Sequence, residues 1–223
     1  MTHPASALSF ETSRLAAARA AGCRAIRLAA LRDAPAVFGT TRDTQAGLRP
    51  ASALSFETSR LAAAHAAGCR AIRLAALRDA PAVFGTTCDT QAGLRLAAFV
   101  QRLDGAIAFG AYVGGALAGM AGFKRPDGAK GRHRGVPWGM FVAPAARRPG
   151  VGAALLDAAL AAAARTAGQV ALAAVDSRGA ARAFCERHGF VAYGVEPRAL
   201  DAANGCADAL PMVKFPPLAP PRA

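Results

Sequence analysis

The chain has 223 residues, of which 53% are hydrophobic and only 6% aromatic, and it carries a formal net charge of +13. Its length allows one generous domain whose core needs no staples, and its five cysteines form no C-x-x-C pair, which argues against a zinc site and a disulfide framework. The positive charge is spread along the chain without a dense basic run or interleaved aromatics, which argues against a dedicated nucleic-acid binder, and no apolar stretch is long enough to span a bilayer.

The opening, MTHPASALSF, has neither the basic start nor the apolar core of a signal peptide. A bacterial cytoplasmic protein is expected. Pro4–Arg49 and Pro50–Arg95 then repeat one another with two differences, Arg19 against His65 and Arg42 against Cys88. Two near-identical units do not make a solenoid, which needs about three or more diverged repeats. The pattern reads as a tandem duplication. Only the second copy runs directly into the rest of the chain, so residues 1–49 are expected to be peripheral, swapped into a neighbouring subunit of a homodimer, or loosely ordered. Residues 50–216 form the main domain, and 217–223 a proline-rich tail.

Within the second copy, ALSFETS (Ala53–Ser59) begins with alternating apolar residues and reads as a strand. Ser59 is the expected cap of a helix that runs to Ala80 with Leu61, Ala64, Cys69, Ile72 and Leu77 near one face; Gly68 weakens it and Pro81 ends it. Arg95–Gly105 is a second helix. Ala106–Gly115 and the stretch after it form a hairpin around Gly114-Gly115. A polar loop, KRPDGAKGRHRG, leads to a buried strand at Val136–Pro144 with bulge-prone Gly139. A helix follows Gly152 as far as Ala167, then a strand at Gln169–Ser177. A short helix is closed by Gly189, and two last strands follow. The succession gives an α/β fold, a mixed sheet flanked by helices.

The spacing Arg147-x-x-Gly150-x-Gly152 lies between a strand and a helix. Glycines allow a tight turn and a close ligand approach, and a helix N-terminus offers unpaired N–H groups and positive potential. Together these make a pyrophosphate cradle. The third glycine of the dinucleotide fingerprint is missing, and so is the Gly-Lys-Ser/Thr of a P-loop.

In this element order, WGMFVAPAARRPGVGAALLDAAL resembles the acetyl-CoA segment of the GNAT family, the Gcn5-related N-acetyltransferases. AIRLAALRDAPAVFGTT is similar to that family's first helix, and ARAFCERHGF to its late helix and Gly-Phe strand. The resemblance implies a mostly antiparallel GNAT sheet and direct acetyl transfer from acetyl-CoA to a primary amine of a small molecule or protein. It implies pantetheine pairing along Met140, Phe141 and Val142. Pyrophosphate contacts would come from Arg147, Arg148, Gly150, Val151, Gly152 and Ala153, with Arg178 beside the cofactor. The family's usual Asn and Tyr positions hold Arg178 and Cys185 here. Cys185 reads as a replacement proton donor to the thiolate or as a small buried core residue. His133, in the loop before the central strand, and Glu196, in a Glu-Pro turn, are the candidates for a general base, against plainer roles as a solvated histidine and a strand cap. Pro149 removes one possible phosphate donor. The alternative is a catalytically impaired GNAT module that still holds CoA. No metal is expected. The basic loop at 124–135 hints at an acidic or phosphate-bearing acceptor.

Overall fold

Pairing in the sheet decides which segments extend and which coil. The computed structural model describes residues 27–28, 55–147, 150–175, 179–202 and 205–216. Glu57–Leu61 (β2) pairs antiparallel with Ile107–Val113 (β3), Arg60 opposite Phe109 and Leu61 opposite Ala108. Ser59 is therefore a strand residue and caps nothing, because the sheet claims the two residues after it. The helix starts later, at Ala66–Asp79 (α1), after a single tight turn at Ala63–His65. It ends before Pro81 as expected. Gly68 is tolerated because the Leu117 side chain fills the space: its methyl lies 3.4 Å from where a Cβ would stand.

Cys88–Ala92 (α2) is a short helix that the apolar period does not reveal; its signal is the cap Thr87, whose hydroxyl accepts from the Thr90 N–H at 3.2 Å. Leu96–Asp104 (α3) follows. Strand β3 turns through Gly114 and Gly115, both at positive φ, into Ala116–Lys124 (β4). Arg134–Val142 (β5), Val151–Ala164 (α4), Gln169–Ala174 (β6) and Ala180–Arg187 (α5) complete the middle of the chain. Gly189 closes α5 at φ +79°. The end holds three strands rather than two: Val191–Ala192 (β7), Glu196–Ala202 (β8) and Gly205–Lys214 (β9).

The sheet order is β2-β3-β4-β5-β6-β9-β7, with β8 also on β9. Pairing is antiparallel except at β6, which runs parallel to β5 and to the short strand Arg27–Leu28 (β1). Helix α4 covers one face through Val151, Leu155, Leu156 and Ala159. Helices α1 and α3 cover the other through Cys69, Ile72, Leu77, Phe99 and Leu103. The rest of residues 1–49 and the tail 217–223 lie outside the described residues. No helix among the described residues is long and apolar enough to cross a membrane.

Trp138 of β5 lies flat on Gly122 of β4; a Cβ there would stand 2.1 Å from the indole Cε2. The indole is hemmed in by the group formed with α1 and α3. Gly122→Ala is therefore expected to cost about 2 kcal/mol through overpacking, seen in a melting curve as a fall of roughly 4–8 °C in Tm.

Candidate active site: a splayed sheet and a glycine-opened helix

Strands β5 and β6 are paired only at their start, Arg134 with Gln169 and Gly135 with Val170. Beyond that they diverge. The cause is local. Met120 and Gly122 of β4 face Phe141 and Trp138 of β5, so β5 carries one extra residue. Gly139, at φ +63°, absorbs it as a bulge. Strand β5 stays bonded to β4 on its outer edge, and β6 to β9. Their inner edges thus face each other across a V lined by backbone polar groups. Arg27–Leu28 runs along the inner edge of β6 at Ala173–Ala174 and touches β5.

The phosphate-loop candidate stands at the open end. Gly150 caps α4 with a left-handed backbone (φ +86°) and no side-chain cap. The first bond back within the helix is Ala154 N–H to the Gly150 carbonyl, at 3.0 Å. The N–H groups of Val151, Gly152 and Ala153 lie in the first turn, where a helix supplies no intrahelical carbonyl to its N–H groups. A Cβ on Gly152 would meet the Met140 methyl at 3.7 Å, an ordinary contact. Packing does not require glycine at that position, and its bare backbone leaves room for a ligand against the helix end. These features fit the pyrophosphate and pantetheine arm of a coenzyme A thioester.

Arg147 is held within the protein. Its N–H donates to the Pro144 carbonyl at 3.2 Å. Its guanidinium donates to Asp79 at the end of α1, and to the Val142 carbonyl at 2.9 Å, 5.7 Å from the centre of the Phe141 ring. The side chain is 6% exposed. Arg147 ties the loop to α1, with its Nε and one terminal nitrogen engaged inside the protein. Arg148, Pro149 and Arg178 lie outside the described residues.

The catalytic candidates separate. His133 is exposed and stands just before β5, where its carbonyl accepts from Gly168 and Gln169. That is the closed end of the V; the nine residues of β5 put about 30 Å between it and the loop. Glu196, half-buried at the start of β8, pairs with Ala209 of β9, next to the Leu210–Ala174 pair. It stands at the open end. Cys185 is 0% exposed, in the core group with Leu156, Phe184, Phe190 and Met212. Cys69 is a second buried cysteine, and burial pushes its thiol up to about 11. No group of three metal-ligating side chains occurs among the described residues.

The acetyltransferase (GNAT) family profile matches residues 69–190, more than half of the chain. Sequence comparison with curated proteins finds no significant match. Among solved structures, a GNAT-family acetyltransferase from Streptococcus pneumoniae superposes with a TM-score of 0.65 at 20% identity, over 72% of this chain and 99% of that one. The ribosomal-protein-alanine N-acetyltransferase from Brucella melitensis gives 0.62 at 22% identity, over 71% and 99%. A protein from Salmonella typhimurium solved with its cofactor acetyl-CoA gives 0.61 at 18% identity, over 74% and 96%.

Proposed function

The chain belongs to the acetyltransferase (GNAT) family, and from that premise we propose that it transfers an acetyl group directly from acetyl-CoA to a primary amine of a small molecule or protein. The observation that carries this reading is the V between β5 and β6 ending at the uncapped helix α4. The edge at Met140–Val142 suits the amides of the pantetheine arm. The first-turn N–H groups of Val151, Gly152 and Ala153 suit the pyrophosphate. The acceptor enters from the face held by α1 and α3, opposite α4.

In the transfer, the amine nitrogen bonds to the thioester carbonyl carbon, the C–S bond breaks, and the amine loses a proton while the departing thiolate gains one. Of the two expected bases, Glu196 is the one at the open end, and we assign it the amine's proton. Cys185 receives a packing role from its complete burial. Cys185→Ala is expected to keep kcat within about twofold; a thiolate-protonating role would instead cost on the order of 10²-fold.

We assign the transferase to residues 50–216 and treat residues 1–49 as an addition. Arg27–Leu28 lies where the pantetheine arm would run. A chain lacking 1–49 should therefore fold and bind acetyl-CoA about tenfold more tightly, as expected if the cleft of the full chain is free about one-tenth of the time. Unchanged or weaker affinity of the shortened chain contradicts this. Size-exclusion profiles of both chains show whether the first copy also joins subunits. Among the described cysteines, Cys69, Cys88 and Cys206 are free thiols, which suits a reducing compartment.

Calorimetric titration with acetyl-CoA, run beside thiol release over a panel of amines, tests the whole reading. Binding with turnover supports the transferase. Binding without turnover across the panel favours an impaired CoA-holding module, a reading motivated by cysteine at the family's tyrosine position. Absence of binding overturns both.

A further inference from the structure

Two guanidinium groups on the acceptor face have no acid opposite them. Arg73 of α1 is half-buried and lies 4.4 Å over the ring of Phe84, which follows the Pro81–Val83 turn. Arg102 of α3 lies 5.0 Å from the Phe99 ring centre and donates to the Gln91 side-chain oxygen at 2.7 Å. Gln91 is itself buried and donates onward to the Thr86 hydroxyl at 3.3 Å. That chain of partners is neutral. Neither arginine joins an ion pair among the described residues. Asp79 on α1 is committed to Arg147, and Asp89 on α2 and Asp104 on α3 are exposed. Burial, and then the nearby Arg102 charge, bring the Arg73 guanidinium down to about 10. The Trp138 indole N–H belongs to the same packed group, buried and without an acceptor.

This face therefore holds donors and positive charge in excess. Arg73 is half-buried and Arg102 is exposed; a like charge beside a partly desolvated one repels it, and an anion between the two relieves both the repulsion and the lost hydration of Arg73. The place is also suited to an acceptor. Val83, beside Phe84, packs against Ala173 and Val175 at the open end of β6. Asp79 ties the same helix to the phosphate loop.

We propose that Arg73 and Arg102 form a receptor for an anionic group, carboxylate or phosphate, carried by the amine acceptor. The proposal rests on the transferase reading and names the class of its substrate. The guanidinium fork of Arg73 grips two oxygens of the anion. Arg102, held in place by Gln91, supplies the second charge, and the amine end points into the V.

The test has two parts on the full chain. First, inorganic phosphate and acetate are titrated separately and Tm is followed. The wild type is expected to show a saturable rise with at least one of them. Arg73→Met should weaken that response at least tenfold, leave acetyl-CoA affinity unchanged, and leave the anion-free protein no less stable, because its apolar stem still covers Phe84. Arg73→Lys, which keeps the charge, should retain a saturable response. A rise equal in wild type and Arg73→Met, or no saturable rise, overturns the proposal whether or not acetyl-CoA binds. Second, turnover is compared for phosphoethanolamine, β-alanine and ethanolamine. An anionic acceptor should have the lowest KM, and Arg73→Met should raise that KM at least tenfold while leaving the KM of ethanolamine unchanged. The preferred anionic acceptor identifies phosphate or carboxylate. Equal use of ethanolamine by the wild type overturns the proposal. Failure of acetyl-CoA to bind removes the transferase reading, and the anion titration still decides whether the receptor exists.

Discussion

Gly152→Asp is expected to weaken acetyl-CoA binding on the order of 10²–10³-fold while leaving the protein folded. The two effects have opposite signs because they act on different partners. Gly152 is the second residue of α4, and a Cβ there meets nothing closer than 3.7 Å. A carboxylate in the first turn of a helix favours the helix by about 0.3–1 kcal/mol, so Tm should hold or rise slightly. In the proposed site the same carboxylate would face the pyrophosphate. At about 4 Å and an effective dielectric constant of about 20, two like unit charges repel by roughly 4 kcal/mol. Affinity should fall on the order of 10²–10³-fold. Titration calorimetry and a melting curve on one preparation read both quantities. Affinity retained in the variant would mean that the helix end does not hold the cofactor.

The second large effect is on stability. Asp79→Ala leaves the Arg147 guanidinium, 6% exposed, without its carboxylate. Removing one partner of a buried pair costs about 3–5 kcal/mol, most of it from the charge left behind. Because Asp79 is 23% exposed and water reaches it, the lower figure is expected, seen as a clear drop in denaturant midpoint. Arg147→Met should be milder, since the thioether covers the Phe141 ring and removes the stranded charge. Both variants release the tether between α1 and the loop, so both should also weaken acetyl-CoA binding. A loss of stability in Asp79→Ala no larger than in Arg147→Met would contradict the stranded-charge account.

Much of this site was legible because glycine spacing has a direct physical meaning. Gly114-Gly115, Gly139, Gly150 and Gly189 were each expected at a turn, bulge or helix end, and each adopts positive φ there. What local pattern could not supply was register. Only the Arg134–Gln169 and Glu196–Ala209 pairings put His133 at the closed end of the V and Glu196 at the open end. Nor could a sequence show that the Arg147 side chain turns inward, because its partner Asp79 comes from a distant helix. Strand β2 took Ser59 from its expected capping role because ladder bonds to β3 outweigh one side-chain cap. The duplicated unit shows how little local preference decides. Arg27-Leu28 and Arg73-Leu74 are the same dipeptide in the same local sequence, extended beside β6 in one copy and helical in α1 in the other.

The parting of β5 and β6 leaves the edge of β5 short of rungs, and a thioester whose arm supplied them would become part of the folded state. Any ligand bound only by the folded chain deepens its stability by RT ln(1 + [L]/Kd), about 2.7 kcal/mol at a hundredfold excess over Kd. The protein's lifetime against proteases would then follow the supply of activated acetyl groups. Its abundance would report the acetylation state of the cell, independently of how fast it turns over.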